Sequence, residues 1–436
     1  MLQKVVLRRR ECFEIRRLVE SGSWLLVYGR RKTGKTWLIR RCTPWGIYAV
    51  VTRSGECLLE TGGSSSFIGM GECVRRVLEA VRRGGVGVID EFQRMPERYW
   101  EEISLARSES EGSLILCGSS MGIVRRVFDR SSPLLGLLEA FMVDIVRVED
   151  AIASLAEHGL APREAVLWSV VARDPWILAH IEPRGEPWRV LAEHSGFLVP
   201  SVRGLIGEVF EEEERSLTRV YDAVLSLLAQ GYWRAADIAA RLYAARLVSS
   251  PSPGTATGVL EVLASMGLVE RVKLWRTRGA RVYYRHRSSL TSLLYRIADY
   301  VEELGSPPPA ETLRAAYGLE LQFAIGELLA ARHGLQRAYS IQPDGRDIDV
   351  VLLDRRGVAE WAYEVKMGRV SAGDVEWLRE TAARLGVRRV GVVALEGGEA
   401  SVDELLDAEA LVEVAEKLAG ESREWEDLSP APKRRE

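Results

Sequence analysis

The stretch "VYGRRKTGKTWLIRRC", residues 27–42, decides the fold of the N-terminal part of the chain. The residues "SWLLVYG" (23–29) predict a short buried strand, "KTWLIRRC" predicts the start of a helix, and "GRRKTGKT" is the turn between them. Glycines let a turn curl so that successive N–H groups face an anion, and the helix N-terminus adds partial positive charge. The turn matches the phosphate-loop pattern G-x-x-x-x-G-K-T with Gly29, Gly34, Lys35 and Thr36 in register.

Lys35 and Thr36 carry the chemistry expected of such a loop. Lys35 would reach the β- and γ-phosphates of a nucleotide, and Thr36 would hold Mg²⁺. The chain contains seven lysines and 52 arginines, so a lysine here is an exception. A compact ammonium fits a phosphate cradle where a broad guanidinium would not. The predicted cofactors are ATP and Mg²⁺, and the predicted nucleotide-binding residues in the loop are Gly29, Arg30, Arg31, Lys32, Thr33, Gly34, Lys35 and Thr36.

A second motif, "GVGVIDEFQRMP" at residues 85–96, is an apolar strand that ends in two acids. Asp90 would bind Mg²⁺ through water and belongs to the predicted nucleotide site, and Glu91 is placed to polarise the attacking water. The alternative is a pair of exposed acids that open a helix.

A third apolar strand, "SLILCGSS" at residues 113–120, ends in hydroxyl groups. Either Ser119 or Ser120 could lie between the attacking water and the γ-phosphate, although Gly-Ser-Ser can also simply end a strand. The N-K-x-D signature of guanine recognition does not occur in the sequence. ATP is therefore favoured over GTP.

Length and composition describe the class of protein. The 436 residues suggest two to four domains, and 47% hydrophobic residues, 28% charged residues and a net charge of -3 are typical of a soluble globular chain. No apolar run is long enough for a membrane span, and the N-terminus carries charges where a signal peptide would be apolar, so we expect a cytoplasmic protein without a membrane partner.

The five cysteines show no C-x-x-C spacing, which indicates neither a zinc site nor a disulfide framework. They are predicted to be small buried hydrophobic side chains: Cys12, Cys42, Cys57, Cys73 and Cys117.

With these motifs the chain resembles the archaeal P-loop ATPases of the AAA+/STAND group that join an ATPase to a winged helix and a nuclease-like C-terminal domain. The resemblance rests on "GRRKTGKT", "VIDEFQRMP", "LILCGSS" and "SSPLLGL", and it covers nearly the full length. It implies ATP hydrolysis, with Ser119 as a polar sensor, and it allows a homo-oligomer.

Two departures from the family pattern bear on turnover. The family usually has an arginine after the glycine of its P-L-x-G stretch, where this chain has Leu137. Turnover would then be slow, or Arg125, Arg126 or Arg130 would substitute. The segment "VVARDPWILAHI" (170–181) resembles the Gly-Gly-x-Pro lid segment of the family with its glycines replaced.

The middle of the chain is predicted to be mainly helical. Residues 146–205 would form a lid, and the acidic run "EVFEEEERS" (208–216) is typical of a solvated helix face or a hinge. From Leu217 onward, three helical segments are followed by two β-rich pieces around Gly279. That order is the winged-helix plan, and the resemblance implies the same.

The predicted hairpin is strongly basic. Residues 271–287 contain seven Arg or Lys and no Asp or Glu, with aromatic residues among the charges. This composition suits a wing that lies against DNA phosphates, while the third helix would offer two threonines to a groove. The alternative is a protein-contact module, since basic hairpins also bind acidic helices. The predicted DNA-binding residues are Thr255, Thr257, Arg271, Lys273, Arg276, Arg278, Arg281 and Arg285.

The C-terminal third, beyond the proline-rich linker "ELGSPPPAETL" (303–313), predicts a helix and then two alternating strands, "RDIDVVLLD" and "VAEWAYEVKMG". A tight turn between the strands puts Asp349 nearly opposite Glu364, and the period of two puts Glu364 and Lys366 on one face. Two carboxylates could hold a divalent metal while the ammonium positions water against a scissile phosphate, so all three are candidate catalytic residues.

This D…E-x-K pattern resembles the PD-(D/E)xK nuclease superfamily. Glu320 on the preceding helix is a candidate extra acid, and Gln322 and Glu327 compete with it for the alignment. The predicted metal-binding residues of the whole chain are therefore Thr36, Asp90, Asp349 and Glu364.

The expected protein is an α/β ATPase that associates with DNA, with metal-dependent endonuclease activity as a hypothesis for the C-terminal domain. The rival is a STAND-like switch or scaffold that turns over slowly and uses an inactive nuclease-like domain for protein contacts. The predicted domains are a P-loop core (1–145), a helical lid (146–205), a winged helix (206–305), a PD-(D/E)xK-like domain (310–420) and a disordered tail (421–436).

Overall fold

Two units make up the structure, a computed structural model that describes residues 7–213 and 215–420. Among these residues, the first unit contains 8–145 together with 207–213 and 215–216, and the second contains residue 7, residues 146–206 and residues 217–420. The predicted disordered tail lies outside the described residues.

The first unit is an α/β sandwich around a seven-stranded sheet. The strand order is β4-β3-β2-β5-β6-β1-β7; the strands from β2 to β7 are parallel, and β3 and β4 extend the sheet antiparallel. This mixed α/β sheet agrees with the predicted P-loop core. Its elements are α1 (Arg9–Glu20), β1 (Leu25–Tyr28), α2 (Lys35–Cys42), β2 (Ile47–Val51), β3 (Glu56–Thr61), β4 (Ser64–Gly69), α3 (Met70–Arg82), β5 (Val86–Asp90), α4 (Arg98–Ala106), β6 (Ser113–Gly118), α5 (Gly122–Val127) and β7 (Glu139–Met142).

Apolar side chains cover both faces of this sheet, as a mostly parallel sheet requires. One face packs on α1 and α2 through residues such as Ile15 and Leu38, and the other packs on α3 and α4 through residues such as Val77 and Ile103. Strands β1, β5 and β6 lie side by side in the sheet, so the loops that follow their carboxyl ends meet at one edge.

The cysteines correct one prediction. Cys12 forms a disulfide with Cys42, and Cys57 forms a second disulfide with Cys73. The expectation of no disulfide framework is therefore wrong. The pairs arise where α1 packs on α2 and where β3 packs on α3, which spacing along the chain does not reveal. Cys117 is free and buried, as expected.

The second unit joins a helical region, a three-helix segment with a hairpin, and a second α/β sheet. Its five-stranded sheet has the order β10-β11-β12-β13-β14; β10 to β12 are antiparallel, and β13 and β14 continue parallel to β12. Its elements are α6 (Val148–Glu157), α7 (Pro162–Ala172), α8 (Pro187–Glu193), α9 (Ser195–Glu212), α10 (Arg219–Ala229), α11 (Ala235–Ala244), α12 (Pro253–Ser265), β8 (Val269–Lys273), β9 (Val282–His286), α13 (Ser289–Leu304), α14 (Ala310–His333), β10 (Gln336–Ile341), β11 (Asp347–Leu353), β12 (Ala359–Lys366), α15 (Ala372–Leu385), β13 (Arg389–Ala394), β14 (Glu404–Leu406) and α16 (Ala408–Gly420). Helix α9 starts in this unit, and its residues from Gly207 group with the first unit.

The helical region and the C-terminal sheet share one apolar core. Helices α6, α7 and α14 contribute residues such as Trp168 and Tyr317, and β11 and β12 contribute Val350 and Tyr363. Three helices and the antiparallel hairpin β8–β9 occur in the order that the sequence predicts. In the parts of the chain that the structure describes, the helices are too short or too polar for any of them to cross a membrane.

Candidate functional site

The phosphate-loop motif lies between β1 and α2, as predicted. Its backbone turns through left-handed conformations at Lys32 (φ 60°) and Gly34 (φ 94°). Gly29 is required by a close approach, because a Cβ there would lie 2.1 Å from the carbonyl oxygen of Val143. Thr33 is fully buried, and its hydroxyl donates to the carbonyl of Arg30 at 2.9 Å. The loop is a tightly wound backbone turn at the head of a helix.

Lys35 lies inside this turn. Its ammonium donates to the carbonyl oxygens of Gly29 at 2.8 Å and Arg30 at 2.9 Å, and the residue is 7% exposed. Burial lowers the pKa of Lys35. The ammonium sits within the cradle and is hydrogen-bonded to two backbone carbonyl groups, which incoming phosphate oxygens could replace.

Thr36 and Asp90, which are 54 positions apart, meet beside the loop. The Thr36 hydroxyl donates to Oδ2 of Asp90 at 2.8 Å, and the Tyr48 hydroxyl donates to the same oxygen at 2.6 Å. The backbone N–H of Glu91 donates to Oδ1 of Asp90 at 2.9 Å. A hydroxyl and a fixed carboxylate are hard oxygen donors of the kind that Mg²⁺ prefers, so these residues fit the expected metal.

Tyr48 was missed by the sequence analysis. It is fully buried on β2, which pairs with β5, and burial raises the pKa of its hydroxyl. The only signal in the sequence is a polar group within the apolar strand "IYAVV".

Glu91 is tied to two neighbours that the sequence analysis also missed. Its Oε2 accepts a hydrogen bond from Nε2 of Gln93 at 2.8 Å and pairs with Arg94 at 3.0 Å. The same Gln93 nitrogen lies 3.1 Å from the hydroxyl of Ser119, so one amide links Glu91 to the end of β6. A 3₁₀ turn from Phe92 to Arg94 brings these side chains back to Glu91.

The two candidate serines have different roles in the structure. Ser119 contacts Gln93, whereas the Ser120 hydroxyl accepts the backbone N–H groups of Gly122 at 3.0 Å and Ile123 at 3.3 Å in the first turn of α5. Ser119 is therefore the serine that the structure places with Glu91.

The acidic run contacts the phosphate loop. Arg31 pairs with Glu208 at 2.7 Å and with Glu212 at 2.6 Å. Glu213 accepts the backbone N–H of Met121, just after Ser120, and burial raises the pKa of its carboxyl. The expectation of a solvated face misses these contacts, because their partners are about 90 to 180 positions away in the sequence. We call residues 208–213 the acidic segment.

A cavity of about 330 Å³ lies between the acidic segment and the Glu91 side of the site, with Gln93, Arg94 and Arg126 in its lining. Arg126 was one of three arginines expected to replace the missing family arginine. It reaches the cavity wall and also pairs with Glu97 at 2.7 Å. Leu137 packs against the apolar core.

The C-terminal sheet brings together the second set of predicted residues. Val350 pairs with Tyr363 in the β11–β12 ladder, which sets Asp349 across from Glu364. Asp349 accepts hydrogen bonds from the backbone N–H of Val365 at 2.7 Å and from Nε2 of Gln322 at 2.6 Å. Lys366 pairs with Oε1 of Glu364 at 2.6 Å and lies 3.7 Å from Asp374, which the capping box of α15 holds in place.

Burial dominates the electrostatics of this centre. The pKa of Asp349 is raised well above its usual value by burial and then by the charge of Glu364, and burial also raises the pKa of Glu364. Burial alone would lower the pKa of Lys366, but the hydrogen bond to Glu364 and the charges of the surrounding carboxylates together outweigh burial, so that pKa is raised. Among residues 7–213 and 215–420 no group of three or more His, Cys, Asp or Glu is arranged as a metal site.

The helix preceding this sheet, α14, carries the three side chains considered for this site: Glu320, Gln322 and Glu327. Gln322 is the α14 side chain that contacts Asp349. Glu320, the candidate extra acid, instead pairs with Arg285, and Glu327 pairs with Arg173 and Arg287.

The basic hairpin corrects part of the predicted DNA-binding set. Arg285 is 5% exposed and is paired with Glu270 and Glu320, so it is not available to a DNA backbone. The hairpin also docks on the C-terminal sheet: Trp275 donates its backbone N–H to the carbonyl oxygen of Tyr339 at 2.9 Å, and the ring of buried Tyr283 lies 5.3 Å from the ring of Tyr339.

The other predicted DNA contacts remain on the surface to different degrees. Arg271 pairs with Glu261, Lys273 donates to Gln336, and Arg276 donates to the carbonyl of Leu385. On α12, Thr255 is exposed and the Thr257 hydroxyl donates to the carbonyl of Pro253. Arg278 and Arg281 are exposed at the turn of the hairpin.

Comparisons with known proteins give distant structural similarity only. No family model matches the chain, and no curated protein matches its sequence. A Walker-type ATPase of Pyrococcus abyssi is 17% identical, with 67% of this chain and 96% of that chain covered and a TM-score of 0.46. The ORC2 protein of Aeropyrum pernix in its ADPNP–ADP complexes is 11% identical (73% and 93% covered, TM-score 0.39), and the Aeropyrum pernix ORC1 protein in complex with DNA is 16% identical (68% and 94% covered, TM-score 0.30).

Proposed function

We propose that the first unit binds ATP with Mg²⁺ and hydrolyses it. The observation that carries the proposal is the Thr36–Asp90 hydrogen bond beside a buried lysine in a curled glycine loop. Thr36 and Asp90 would hold the metal, which supplies charge neutralisation for the phosphates. Lys35 would exchange its backbone carbonyl partners for phosphate oxygens.

Glu91 is the residue proposed to orient and deprotonate the attacking water. Gln93 and Arg94 contact its carboxylate, and Gln93 also contacts Ser119, so the four side chains form one connected group at the edge of the sheet. The ion pair with Arg94 and the leucine at position 137 favour slow turnover. That feature is shared with the rival interpretation of a nucleotide-dependent switch.

The test is ATP binding and hydrolysis by three variants. Lys35→Ala is expected to lose ATP binding, and Glu91→Gln is expected to bind ATP while turnover falls by about 100-fold or more, a typical contribution of a general base. Lys417→Ala removes an exposed lysine on α16 as a matched control. Full ATP binding by Lys35→Ala would contradict the proposal.

DNA association is the second part of the proposed function. The exposed basic residues of the hairpin, above all Arg278 and Arg281, support it, because clustered arginines neutralise backbone phosphates. The docked base of the hairpin limits the contact to its outer face. Fluorescence anisotropy of labelled duplex DNA at several salt concentrations measures the interaction, and binding that does not depend on salt would contradict it.

Metal-dependent cleavage of a phosphodiester is a second candidate function, favoured by the convergence of Asp349, Glu364 and Lys366 on paired strands. Plasmid and branched DNA would be incubated with Mg²⁺ or Mn²⁺ and the wild type, Asp349→Ala or Lys366→Ala. Nicking by the wild type alone supports cleavage. No nicking by the wild type favours a domain that serves protein contacts, and equal nicking by all three indicates contamination.

A further inference from the structure

The acidic segment touches both sides of the proposed nucleotide site. Glu208 and Glu212, one helical turn apart on α9, converge on Arg31 of the phosphate loop. Glu213 reaches the opposite side, where it accepts the backbone N–H of Met121 beside the serines that follow β6. The segment therefore bridges the loop that would hold phosphates and the loop that would contact the γ-phosphate.

The acidic segment places negatively charged carboxylates at a site that is proposed to bind negatively charged phosphates. The Glu212 side chain is 13% exposed and that of Arg31 is 26% exposed, so their ion pair is partly removed from water. The Glu212 carboxylate is also close enough to raise the pKa of Lys35 against the dominant effect of burial, as Asp90 and Glu91 do. A phosphate group that entered the loop would compete with this carboxylate for Arg31.

We propose that the acidic segment is a built-in competitor for the nucleotide phosphates, which closes the loop when no nucleotide is bound and is displaced by a triphosphate. The inference rests on the proposed ATP binding and adds its regulation. The segment contains the C-terminal end of α9, and residues 195–206 of the same helix belong to the second unit. Release of the segment would therefore make the conformation of a helix shared with the second unit depend on bound nucleotide.

Neutral glutamines test the competition. In the double variant Glu208→Gln, Glu212→Gln the loop arginine loses both anionic partners, so ATP binding measured by calorimetry in the presence of Mg²⁺ is expected to tighten by about tenfold, a typical effect for removal of a partly buried charge contact. The double variant Glu409→Gln, Glu413→Gln removes the same two charges from exposed positions one helical turn apart on α16 and is expected to change the affinity by less than about twofold.

Hydrogen exchange gives a second measurement on the unaltered protein. Amides of residues 207–213 are expected to exchange faster when ATP and Mg²⁺ are added, because the segment is released, whereas amides of α2 should exchange more slowly. Equal ATP affinity of the wild type and the double variant, or unchanged exchange at 207–213 with ATP bound, would overturn the competitor while leaving ATP binding intact. Absence of ATP binding in the wild type and in the double variant would overturn both proposals. Binding by the double variant alone would support both.

Discussion

Replacement of Arg285 by methionine tests whether the hairpin is a structural strut or a DNA wing. The Arg285 guanidinium donates to Oε2 of Glu270 at 2.9 Å and contacts the carboxylate of Glu320, which is 6% exposed. Burial alone would lower the pKa of Arg285, but Glu320 and Glu270 outweigh burial and raise it. The cation is therefore an integral part of a buried network.

The expected loss of folding stability depends on which ion pairs each carboxylate retains after the substitution. Glu270 retains ion pairs with Arg287 and Arg337, whereas Arg285 is the partner that the structure shows for Glu320. Loss of one member of a buried pair costs about 3–5 kcal/mol, since an uncompensated charge stays inside. Methionine fills much of the vacated volume and adds no new charge.

The double variant Arg285→Met, Glu320→Leu removes the orphaned carboxylate as well. Its free energy of unfolding should return to within about 1–2 kcal/mol of the wild type, because a buried pair replaced by apolar groups is often nearly neutral. Guanidinium chloride unfolding gives these values, and the double-mutant cycle gives the coupling energy.

Arg281→Ala is the matched control, since Arg281 is exposed on the same hairpin. It should change the free energy of unfolding by less than about 0.5 kcal/mol, as surface substitutions usually do. If Arg285→Met leaves stability unchanged and instead abolishes DNA binding, the structural assignment of Arg285 is refuted.

Three further predictions concern the proposed sites. Tyr48→Phe removes a hydrogen bond to charged Asp90 worth about 1 kcal/mol or more, so the Mg²⁺ concentration for half-maximal ATPase activity should rise about fivefold. Tyr28→Phe should not change that concentration, and an equal shift in both variants would contradict the role of Tyr48. Asp349→Asn should raise the melting temperature at pH 7 by about 2–5 °C, because ionisation of a carboxyl with a raised folded-state pKa destabilises the fold. That penalty is absent below the unfolded pKa of about 4 and grows as the pH rises through the folded pKa, so the difference in melting temperature should shrink toward pH 4; a difference independent of pH would count against it. The double variant Arg278→Ala, Arg281→Ala should reduce the salt slope of DNA binding by about 2, which anisotropy titrations at several salt concentrations would show, and an unchanged slope would place the contact elsewhere.

Asparagine is a suitable probe at position 349 because its surroundings can adapt. Oε1 of Gln322 is buried without a hydrogen-bond partner in the described part of the chain. If the Gln322 amide turns over, this oxygen can accept from the new Nδ2 while Oδ1 still accepts the N–H of Val365. The variant therefore removes the charge and keeps both hydrogen bonds.

Contiguous patterns were sufficient to locate the main elements. The loop from Gly29 to Thr36 is local, so strand, turn and helix could be predicted from one stretch, and the acids that end β5 follow an apolar run. The alternation of Glu364 and Lys366 along one strand, with a short turn before it, was enough to place Asp349 nearby.

Contacts from distant segments could not be predicted in this way. Tyr48 reaches Asp90 because β2 is inserted beside β5, and strand order cannot be read from the composition of either strand. The charge count of residues 271–287 indicated an open basic surface, but the compensating acids lie just outside that window, at Glu270, or on α14, at Glu320. The same limitation hid the partners of the acidic segment.

The buried charges of this chain divide into two kinds, and the difference separates structural networks from candidate sites. In the network around α14, neighbouring charges outweigh burial: the pKa of Glu327 is lowered well below its usual value by Arg173, Arg287 and Arg337, although burial opposes them. At Lys35 burial outweighs the nearby carboxylates, and at Asp349 burial and the charge of Glu364 act in the same direction, so each ionised group is held at a cost in stability. A fold tolerates a destabilising buried charge where a bound ligand compensates it. A phosphate at Lys35 or a divalent cation at Asp349 would supply the missing opposite charge. The positions at which this protein is electrostatically unsatisfied are thus the positions at which ligands of opposite charge should stabilise it most.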